Sequence, residues 1–174
     1  MRSLTGFNLR SPSPAGAGEG KANTDAQKQK RGADEVQITR ETDYAIRCVC
    51  HLTQRPGEIV AIEEISRATS APKDFIAKIL QKLASASIVK SHRGVNGGFE
   101  LAKKPALISF LCVVEAVQGP VAMNICAIDK RLCSRSDSCI VHPVWVDVRE
   151  QVRKILAKNN FAKLKSKRIR GEMP

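Results

Sequence analysis

Residues 88–105 read IVKSHRGVNGGFELAKKP, a stretch in which two short apolar runs flank a glycine-rich turn. The run over residues 88–92 predicts one β-strand, and Phe99 and Leu101 predict a return strand. Glycine adopts positive φ at little steric cost, so three glycines permit it at the tip: Gly94, Gly97 and Gly98. The stretch therefore predicts a β-hairpin.

The segment before the hairpin predicts two short helices separated by a tight break. The first lies around residues 62–69, and Pro72 opens the second because its fixed φ suits the first turn of a helix. The second helix carries a dense apolar stripe formed by Phe75, Ile76, Ile79, Leu80 and Leu83. Two such helices also occur as an ordinary helical hairpin, but a β-hairpin directly behind them indicates a winged helix-turn-helix. The predicted fold class is therefore mainly α with a small β-hairpin wing.

Positive charge is concentrated on this part of the chain. The formal net charge of the whole chain is +12, which favours a polyanionic partner, either nucleic acid or an acidic membrane surface. Between Pro72 and Lys104, seven Lys or Arg stand against two acids, on the segment that a winged helix presents to a duplex. This distribution favours double-stranded DNA as the partner and argues against a membrane.

The predicted fold gives roles to individual residues at this surface. The second helix is expected to enter the major groove and Arg93 to reach a minor groove. The residues expected to meet phosphates are Lys90, His92, Lys103 and Lys104. The predicted DNA-binding residues are Pro72, Lys73, Lys78, Lys82, Lys90, His92, Arg93, Gly94, Asn96 and Gly97.

Several function classes are disfavoured by what the sequence lacks. It has no run of about 18 apolar residues and no apolar signal core at the N-terminus, so neither a membrane span nor export is predicted, and the expected location is cytoplasmic. It has no nucleophile with its base, no carboxylate pair and no phosphate loop, so neither enzymatic activity nor a small-molecule substrate is expected.

Composition and periodicity divide the chain into four parts. Residues 1–35 are rich in Ser, Pro and Gly, which predicts a disordered extension, unless translation starts later or the segment is a transit-like leader. Residues 36–105 form the predicted winged helix-turn-helix. Residues 106–162 hold a short apolar helix, a cysteine loop and a long terminal helix opened by Pro143. Residues 163–174 form a predicted basic tail.

Three of the six cysteines lie in CAIDKRLCSRSDSC at the spacing C-x6-C-x5-C: Cys126, Cys133 and Cys139. His142 follows after two further residues. The intervening residues are polar and turn-prone, so this loop has little apolar surface with which to order itself. A thiolate-bound metal supplies folding free energy to such a segment. In a reducing compartment, clustered cysteines indicate a metal site or redox chemistry more readily than disulfides.

The choice of metal depends on the softness and spacing of the ligands. Three thiolates select zinc, copper(I) or an iron-sulfur cluster, and exclude calcium and magnesium. Structural zinc sites usually pair their ligands at C-x2-4-C, whereas these wider gaps suit a larger iron-sulfur core, with zinc as the alternative. A redox switch and three free thiols are further alternatives. The remaining cysteines have no ligand spacing and are predicted to be small core residues: Cys48, Cys50 and Cys112.

Residues 36–164 resemble the winged-helix iron-sulfur transcriptional regulators, typified by the iron-sulfur cluster assembly regulator and the nitric-oxide-sensing repressor. The matching segments are ITRETDYAIR, FIAKILQKLASASIVKSHRGVNGGFELAKKP and CSRSDSCIVHPVW. The resemblance implies a homodimer paired through the long C-terminal helix, each subunit binding one cluster and presenting one winged helix to a half-site. It also implies that promoter binding responds to iron-sulfur status, oxidative stress or nitric oxide.

The resemblance leaves the fourth ligand open. His142 matches a C-x2-H pattern that completes a [2Fe-2S] site in the cluster assembly regulator, and it is preferred because it is local in sequence. Asp43, in TDYA, matches the acidic position that ligates a [4Fe-4S] cluster across the dimer in the nitric-oxide sensor, but stabilisation by the helix dipole explains it equally well. The first cysteine gap is one residue longer than in the cluster assembly regulator. The alternative functions are a zinc-stapled DNA-binding or interaction module, and an iron-sulfur carrier or electron-transfer protein.

Overall fold

A computed structural model describes residues 38–164 of the 174-residue chain. The elements, in order, are helices α1 (Arg40–Thr53), α2 (Ile62–Thr69) and α3 (Lys73–Ser85), strands β1 (Val89–His92) and β2 (Gly98–Leu101), and helices α4 (Phe110–Gln118) and α5 (His142–Lys158). The mainly helical class with a β-hairpin wing is therefore confirmed. Within residues 38–164, no helix is long and apolar enough to span a bilayer. The predicted extension over 1–35 lies outside the described residues, as do residues 165–174 of the predicted basic tail.

Helix α1 contacts α2, α3 and α4, and it buries one apolar face against them. Either Thr39 or Thr42 can cap this helix by sequence, and the structure uses Thr39, whose Oγ1 accepts a hydrogen bond from the backbone N–H of Thr42 at 3.2 Å. The buried apolar residues of the helix are Ala45, Cys48, Val49 and Leu52. Helix α1 therefore joins the helix-turn-helix to the C-terminal half of the fold.

Helices α2 and α3 are joined by a tight turn. Ser70 ends α2 in the left-handed region at a φ of 55°, and the Ser66 hydroxyl donates to the carbonyl of Ala71 at 2.6 Å. Pro72 precedes the first residue of α3, where its fixed φ suits the entry to the helix. The predicted apolar stripe of α3 is confirmed, since its fully buried residues are Ile76, Ile79, Leu80 and Leu83. Burial of this stripe leaves the opposite face of α3 in solvent.

The wing is an antiparallel pair of strands with Val89 opposite Leu101, so β1 begins one residue later than predicted. A short segment at Val60 extends this sheet, because the backbones of Val60 and Phe99 exchange two hydrogen bonds of 2.9 Å. This third segment was not predicted from the sequence. It ties the wing to the residues that lead into α2.

The three glycines of the wing have two different roles. Gly94 has a φ of 108°, whereas Gly97 and Gly98 do not use the positive φ that glycine permits. These two glycines are needed for close backbone approach instead. A Cβ on Gly97 would lie 2.5 Å from the carbonyl oxygen of His92, and one on Gly98 would lie 2.4 Å from that of Val60. Neither position has room for a side chain.

The segment after α5 returns to the core. The backbone N–H of Phe110 donates to the carbonyl of Asn159 at 3.0 Å, and that of Phe161 donates to the carbonyl of Ile108 at 3.2 Å. The side chain of Phe161 is fully buried and stacks on Phe110. The chain that follows α5 is therefore fixed to the start of α4.

Candidate DNA interface and cysteine loop

The outer face of α3 carries the side chains that were predicted to enter the major groove. The exposed polar residues of this face are Lys73, Asp74, Lys78, Gln81 and Lys82. Asp74, Lys78 and Gln81 follow one another at helical spacing, which places them on one side of the helix. Within residues 38–164, Lys78 has no ion pair or hydrogen-bond partner for its side chain. Its ammonium group is therefore available to a phosphate or a base.

Lys73, the first residue of α3, is paired with Glu63 in the first turn of α2. The hydrogen bond from Lys73 is the main reason that the pKa of the Glu63 carboxyl is lowered. Both side chains are exposed, and exposed ion pairs are weak. A DNA phosphate can therefore replace Glu63 as the partner of Lys73.

Lys82, near the end of α3, differs from the other predicted DNA contacts. Its Nζ lies 2.8 Å from Oε2 of Glu41 on α1 and 3.2 Å from the carbonyl oxygen of Val117 on α4. The ammonium group thus binds two neighbouring helices of the same chain.

The tip of the wing is exposed and contains the residue predicted for the minor groove. The exposed residues there are Arg93, Gly94, Val95 and Asn96. Arg93 has no ion pair with any residue of the described segment. On β1, Lys90 Nζ and His92 Nε2 lie 3.9 and 3.1 Å from Oε1 of Glu100. The carboxylate of Glu100 therefore holds both basic side chains on one face of the hairpin.

The cysteine loop, residues 120–141, connects α4 to α5. It contains two short 3-10 turns, Ile125–Ala127 and Lys130–Leu132. Cys126 lies in the first turn and is buried, whereas Cys133 and Cys139 are partly exposed. The cysteine loop therefore carries its three thiols at different depths.

Two ion pairs form between residues within the cysteine loop. The guanidinium of Arg131 binds the carboxylate of Asp129, with Nη2 2.6 Å from Oδ2, and this hydrogen bond holds the pKa of Asp129 below its usual value. Lys130 Nζ lies 3.3 Å from Oδ1 of Asp137. These pairs are exposed, so they add little to stability and do not replace an apolar core.

The structure does not bring the predicted metal ligands together. Among residues 38–164, no three His, Cys, Asp or Glu side chains form a group that could hold a metal ion. The proposed alternative ligand, Asp43, lies in the first turn of α1, and its Oδ2 is 2.8 Å from Nη2 of Arg47. Its carboxylate is therefore already in a local ion pair.

Two buried side-chain polar atoms in the described part of the chain lack a hydrogen-bond partner, and both lie at the cysteine loop or next to it: Ser136 Oγ and His142 Nδ1. Buried polar atoms are nearly always paired in native proteins, so this imidazole nitrogen is open to a partner outside the described chain: a water molecule, a second subunit or a metal. Thiolates and imidazole are donors that zinc and iron-sulfur centres use. The donor set therefore fits either group.

The other three cysteines pack in or against the core, as predicted. Burial raises the pKa of the Cys48 thiol to about 12, so this thiol stays protonated at neutral pH. Cys112 Sγ donates to the carbonyl of Ser109 at 3.0 Å. Within the described residues, neither side chain is placed to ligate a metal.

Helix α5 contacts α4 and the first 3-10 turn of the cysteine loop. Arg153 forms an ion pair with Glu115 of α4, and Arg149 Nε donates to the carbonyl of Val121 at 3.2 Å. These contacts were not predicted from the sequence. The spacing of the two arginines shows that they share a face of α5, but it does not identify their partners.

The apolar stripe of α5 is uncovered in the single chain, since this helix has no fully buried residue. Val144 is 53% exposed and Ile155 is 61% exposed. The other members of the stripe are partly exposed: Val148, Val152 and Leu156. An exposed apolar stripe of this kind indicates an interaction surface.

A helix-turn-helix followed directly by a basic β-hairpin defines a winged-helix DNA-binding protein. The chain belongs to the Rrf2 family, because the family model, described as an iron-dependent transcriptional regulator, matches residues 38–167. The resemblance to winged-helix regulators is thereby confirmed. The family consists of transcriptional regulators rather than enzymes, so the protein is a DNA-binding regulator.

Individual relatives match this chain over most of their length. A protein of Aquifex aeolicus, whose name proposes an HTH-type transcriptional regulator, is 30% identical over 112 residues, which are 63% of this chain and 78% of the relative. The structure of CymR, the global cysteine regulator of B. subtilis, is 20% identical with a TM-score of 0.61, and the match covers 75% of this chain and 96% of CymR. The structure of T. potens IscR has a TM-score of 0.60 at 20% sequence identity, and the match covers 79% of this chain and 92% of that IscR chain.

Proposed function

We propose that this regulator binds promoter DNA as a homodimer in the cytoplasm, and that an iron-sulfur cluster controls its affinity. The cluster reports iron-sulfur status, oxidative stress or nitric oxide. Its proposed ligands are Cys126, Cys133, Cys139 and His142. The observation that carries the proposal is the buried Nδ1 of His142, which has no hydrogen-bond partner among the described residues although three thiols lie in the preceding loop.

The choice of an iron-sulfur cluster rests on the family and on the cysteine loop together. The family description names iron-dependent regulators. The fold alone does not specify the signal, since the similar structure of CymR is that of a global cysteine regulator. The ligand spacing C-x6-C-x5-C is wider than the pairs typical of structural zinc. It therefore favours the larger iron-sulfur core over zinc.

The positions of the proposed ligands connect the cysteine loop to α5. Because the three thiols and the imidazole do not converge within residues 38–164, the cysteine loop must change shape to hold a common group. A bound cluster supplies thiolate bonds whose free energy orders such a segment. Cys126 lies in the turn that contacts α5, and His142 is the first residue of α5. Any movement of these two residues therefore shifts the helix that Arg153 fixes to α4.

The homodimer is proposed because the apolar stripe of α5 needs a partner surface. A second copy of the chain offers an identical stripe, and two-fold pairing of the two stripes would bury both. The same symmetry would present two winged helices to two half-sites of an operator.

His142 is preferred over Asp43 as the fourth ligand. The carboxylate of Asp43 already pairs with Arg47, and its position in the first turn of α1 suits the helix dipole. The Nδ1 atom of His142 has no such partner in the described part of the chain. By the resemblance, ligation by His142 goes with a [2Fe-2S] cluster and ligation by Asp43 with a [4Fe-4S] cluster.

Anaerobic purification, followed by an absorbance spectrum and counts of iron, sulfide and zinc, tests the cofactor. A coloured protein that contains iron and sulfide in equal amounts supports the proposal. A colourless protein with stoichiometric zinc would overturn it in favour of the zinc-stapled module. A cluster-containing protein without salt-dependent binding to duplex DNA would favour the carrier alternative.

Replacing Cys126, Cys133 and Cys139 together by Ala tests the coupling between the cluster and DNA binding. The triple variant is expected to lose its visible absorbance and to change its affinity for promoter DNA. Cys112→Ala is the matched control, because this cysteine lies on α4 and outside the cysteine loop. If the triple variant is colourless but binds the promoter as tightly as the unaltered protein, a cluster does not control DNA binding. The protein would then be a DNA-binding regulator without this sensing function.

A further inference from the structure

Lys82 lies on the exposed face of α3, but its ammonium group is directed at the protein. Its Nζ is 2.8 Å from Oε2 of Glu41 and 3.2 Å from the carbonyl oxygen of Val117. These partners are 41 and 35 residues away in the sequence and belong to α1 and α4. One side chain therefore joins three helices.

The two partners of Lys82 are chemically suited to an ammonium group. Val117 is the second-last residue of α4, where backbone carbonyls lack a helical partner and carry the negative end of the helix dipole. Glu41 supplies a full negative charge from the first turn of α1. Lys82 thus uses two of its three N–H donors on groups that need a cation.

A second contact connects α1 and α4 at the same junction. The backbone N–H of Thr39, which caps α1, donates to Oε1 of Gln118 at 3.1 Å. Gln118 is the last residue of α4 and follows Val117 directly. The start of α1 and the end of α4 are therefore held together, and Lys82 adds α3 to this junction.

Lys78 lies on the same helix as Lys82 but differs from it in having no partner for its ammonium group among residues 38–164. It lies one helical turn before Lys82 and is also exposed. A phosphate can bind Lys78 without breaking any contact. Binding of a phosphate by Lys82 would instead leave Glu41 and the carbonyl of Val117 without their cation.

We propose that Lys82 is a positioning residue, which fixes the orientation of the recognition helix α3 against α1 and α4 and does not bind a phosphate. This role differs from the DNA contact predicted from charge alone. The proposal rests on DNA binding by this regulator and is independent of the cluster. Helix α4 therefore contacts Lys82 through the carbonyl of Val117, and it contacts α5 through the ion pair of Glu115 with Arg153.

Salt-dependent binding to two duplexes distinguishes a positioning residue from a phosphate ligand. The first duplex is an operator selected by the full-length protein from a random library, and the second is a scrambled duplex of the same composition. Each lysine–phosphate contact contributes about 0.9 to the slope of log affinity against log salt concentration. Lys78→Met, the matched control, is therefore expected to reduce the slope by about 0.9 per subunit and to weaken both duplexes alike.

Lys82→Met is expected to leave the slope unchanged and to lower the ratio of operator affinity to scrambled affinity by up to about fivefold, since exposed ion pairs are worth little. A loss of overall stability alone would not change this ratio well below the melting temperature. Lys82→Arg keeps the charge and the reach of the side chain, so it is expected to restore the ratio. A Lys82→Met variant with a reduced slope and an unchanged ratio would overturn the proposal.

Glu41→Gln retains the Lys82 side chain and removes its charged partner. It therefore distinguishes a positioning residue from a phosphate ligand even if Lys82→Met does not fold. If Lys82 is a positioning residue, the affinity ratio falls in this variant as well, and the double variant Glu41→Gln/Lys82→Met has the same ratio as Lys82→Met alone. If Lys82 is a phosphate ligand, Glu41→Gln frees it, so that both duplexes bind more tightly with a steeper slope, and the proposal fails. If the unaltered protein shows no salt-dependent binding to either duplex, the proposed DNA binding is contradicted. That outcome is distinct from a failure of the role proposed for Lys82.

Discussion

The ring of Phe161 stacks on the ring of Phe110, with centroids 4.7 Å apart and ring planes 3° apart. Phe110 begins α4, whereas Phe161 follows α5, so the contact joins two ends of the C-terminal half. The side chain of Phe161 is 1% exposed. Helix α5 is therefore anchored beyond its C-terminal end by apolar packing and along its length by the pair of Arg153 and Glu115.

Phe161→Ala is expected to lower the free energy of unfolding by about 3–5 kcal/mol, because it removes a buried aromatic ring and leaves a cavity. Chemical denaturation followed by circular dichroism measures this loss. Leu107→Ala is the control, since Leu107 is 71% exposed, and it is expected to change stability by less than about 0.5 kcal/mol. Similar small losses in both variants would show that Phe161 does not pack in the core in solution.

Gly98→Ala is expected to destabilise the wing by about 1–3 kcal/mol, as overpacking does in a core. The added Cβ would lie 2.4 Å from the carbonyl oxygen of Val60, so the pairing of Val60 with Phe99 must open. Hydrogen exchange of the Phe99 amide reports this opening. Ser91→Ala, an exposed change on β1, serves as the control and is expected to leave exchange at Phe99 as it is. Equal protection in both variants would contradict the close approach.

Arg93→Ala is expected to weaken binding to duplex DNA and to reduce the salt slope by about 0.9 for each phosphate that the guanidinium neutralises. The melting temperature is expected to stay unchanged, because Arg93 has no partner among the described residues. Arg55→Ala is the matched control, as Arg55 lies just after α1 and pairs with Glu64. Unaltered DNA affinity in Arg93→Ala would remove the wing tip from the interface.

His142→Ala is expected to change the visible spectrum of the anaerobic protein and to speed loss of colour in air. Asp43→Asn is expected to leave both properties unchanged, because the position of Asp43 in the first turn of α1 is explained by the helix dipole without a cluster. Comparison of the two spectra, with iron counts for each, identifies the fourth ligand. The reverse pattern would assign that role to Asp43.

Ile155→Glu is expected to weaken dimerisation by tenfold or more (roughly 1.4 kcal/mol) by placing a charge in the proposed interface. Ile155 is 61% exposed in the single chain, so the fold of each subunit is expected to survive. Sedimentation over a range of concentrations measures the association, and the neighbouring exposed change Lys154→Glu is the control. A dimer as tight as that of the unaltered protein would place the interface elsewhere.

The parts of the fold that could be predicted from the sequence depend on local patterns. The buried residues of α3 repeat at helical spacing, and the wing shows two short runs around glycines, so periodicity and turn chemistry were sufficient. Helix α5 was also predicted, because Pro143 marks its first turn and an apolar stripe follows. The ligands predicted in the cysteine loop, from Cys126 to His142, stay a prediction.

Contacts between distant residues could not be predicted in this way. Lys82 and Glu41 are 41 residues apart, and a lysine in a basic segment has the same local sequence whether it faces DNA or another helix. Gly98 lies in a glycine-rich stretch and was therefore assigned to the turn. The close contact with the Val60 backbone, which requires a glycine there, is not visible in the neighbouring sequence. The arrangement of the thiols likewise depends on how the whole loop packs against α5, which spacing alone does not determine.

The two backbone hydrogen bonds between Val60 and Phe99 join the wing to the chain beside α2, so movement of the hairpin away from the helix-turn-helix would have to break them. In the proposed homodimer, each wing would therefore meet the duplex together with its own helix-turn-helix, and adjustment to a different operator would come from bending of the DNA or from the joint between subunits. Each base pair inserted between half-sites would rotate the second half-site by about 34–36°, a rotation that the joint between subunits would have to follow. Under this proposal, the tolerance for spacer length depends on the joint between subunits and not on the wing.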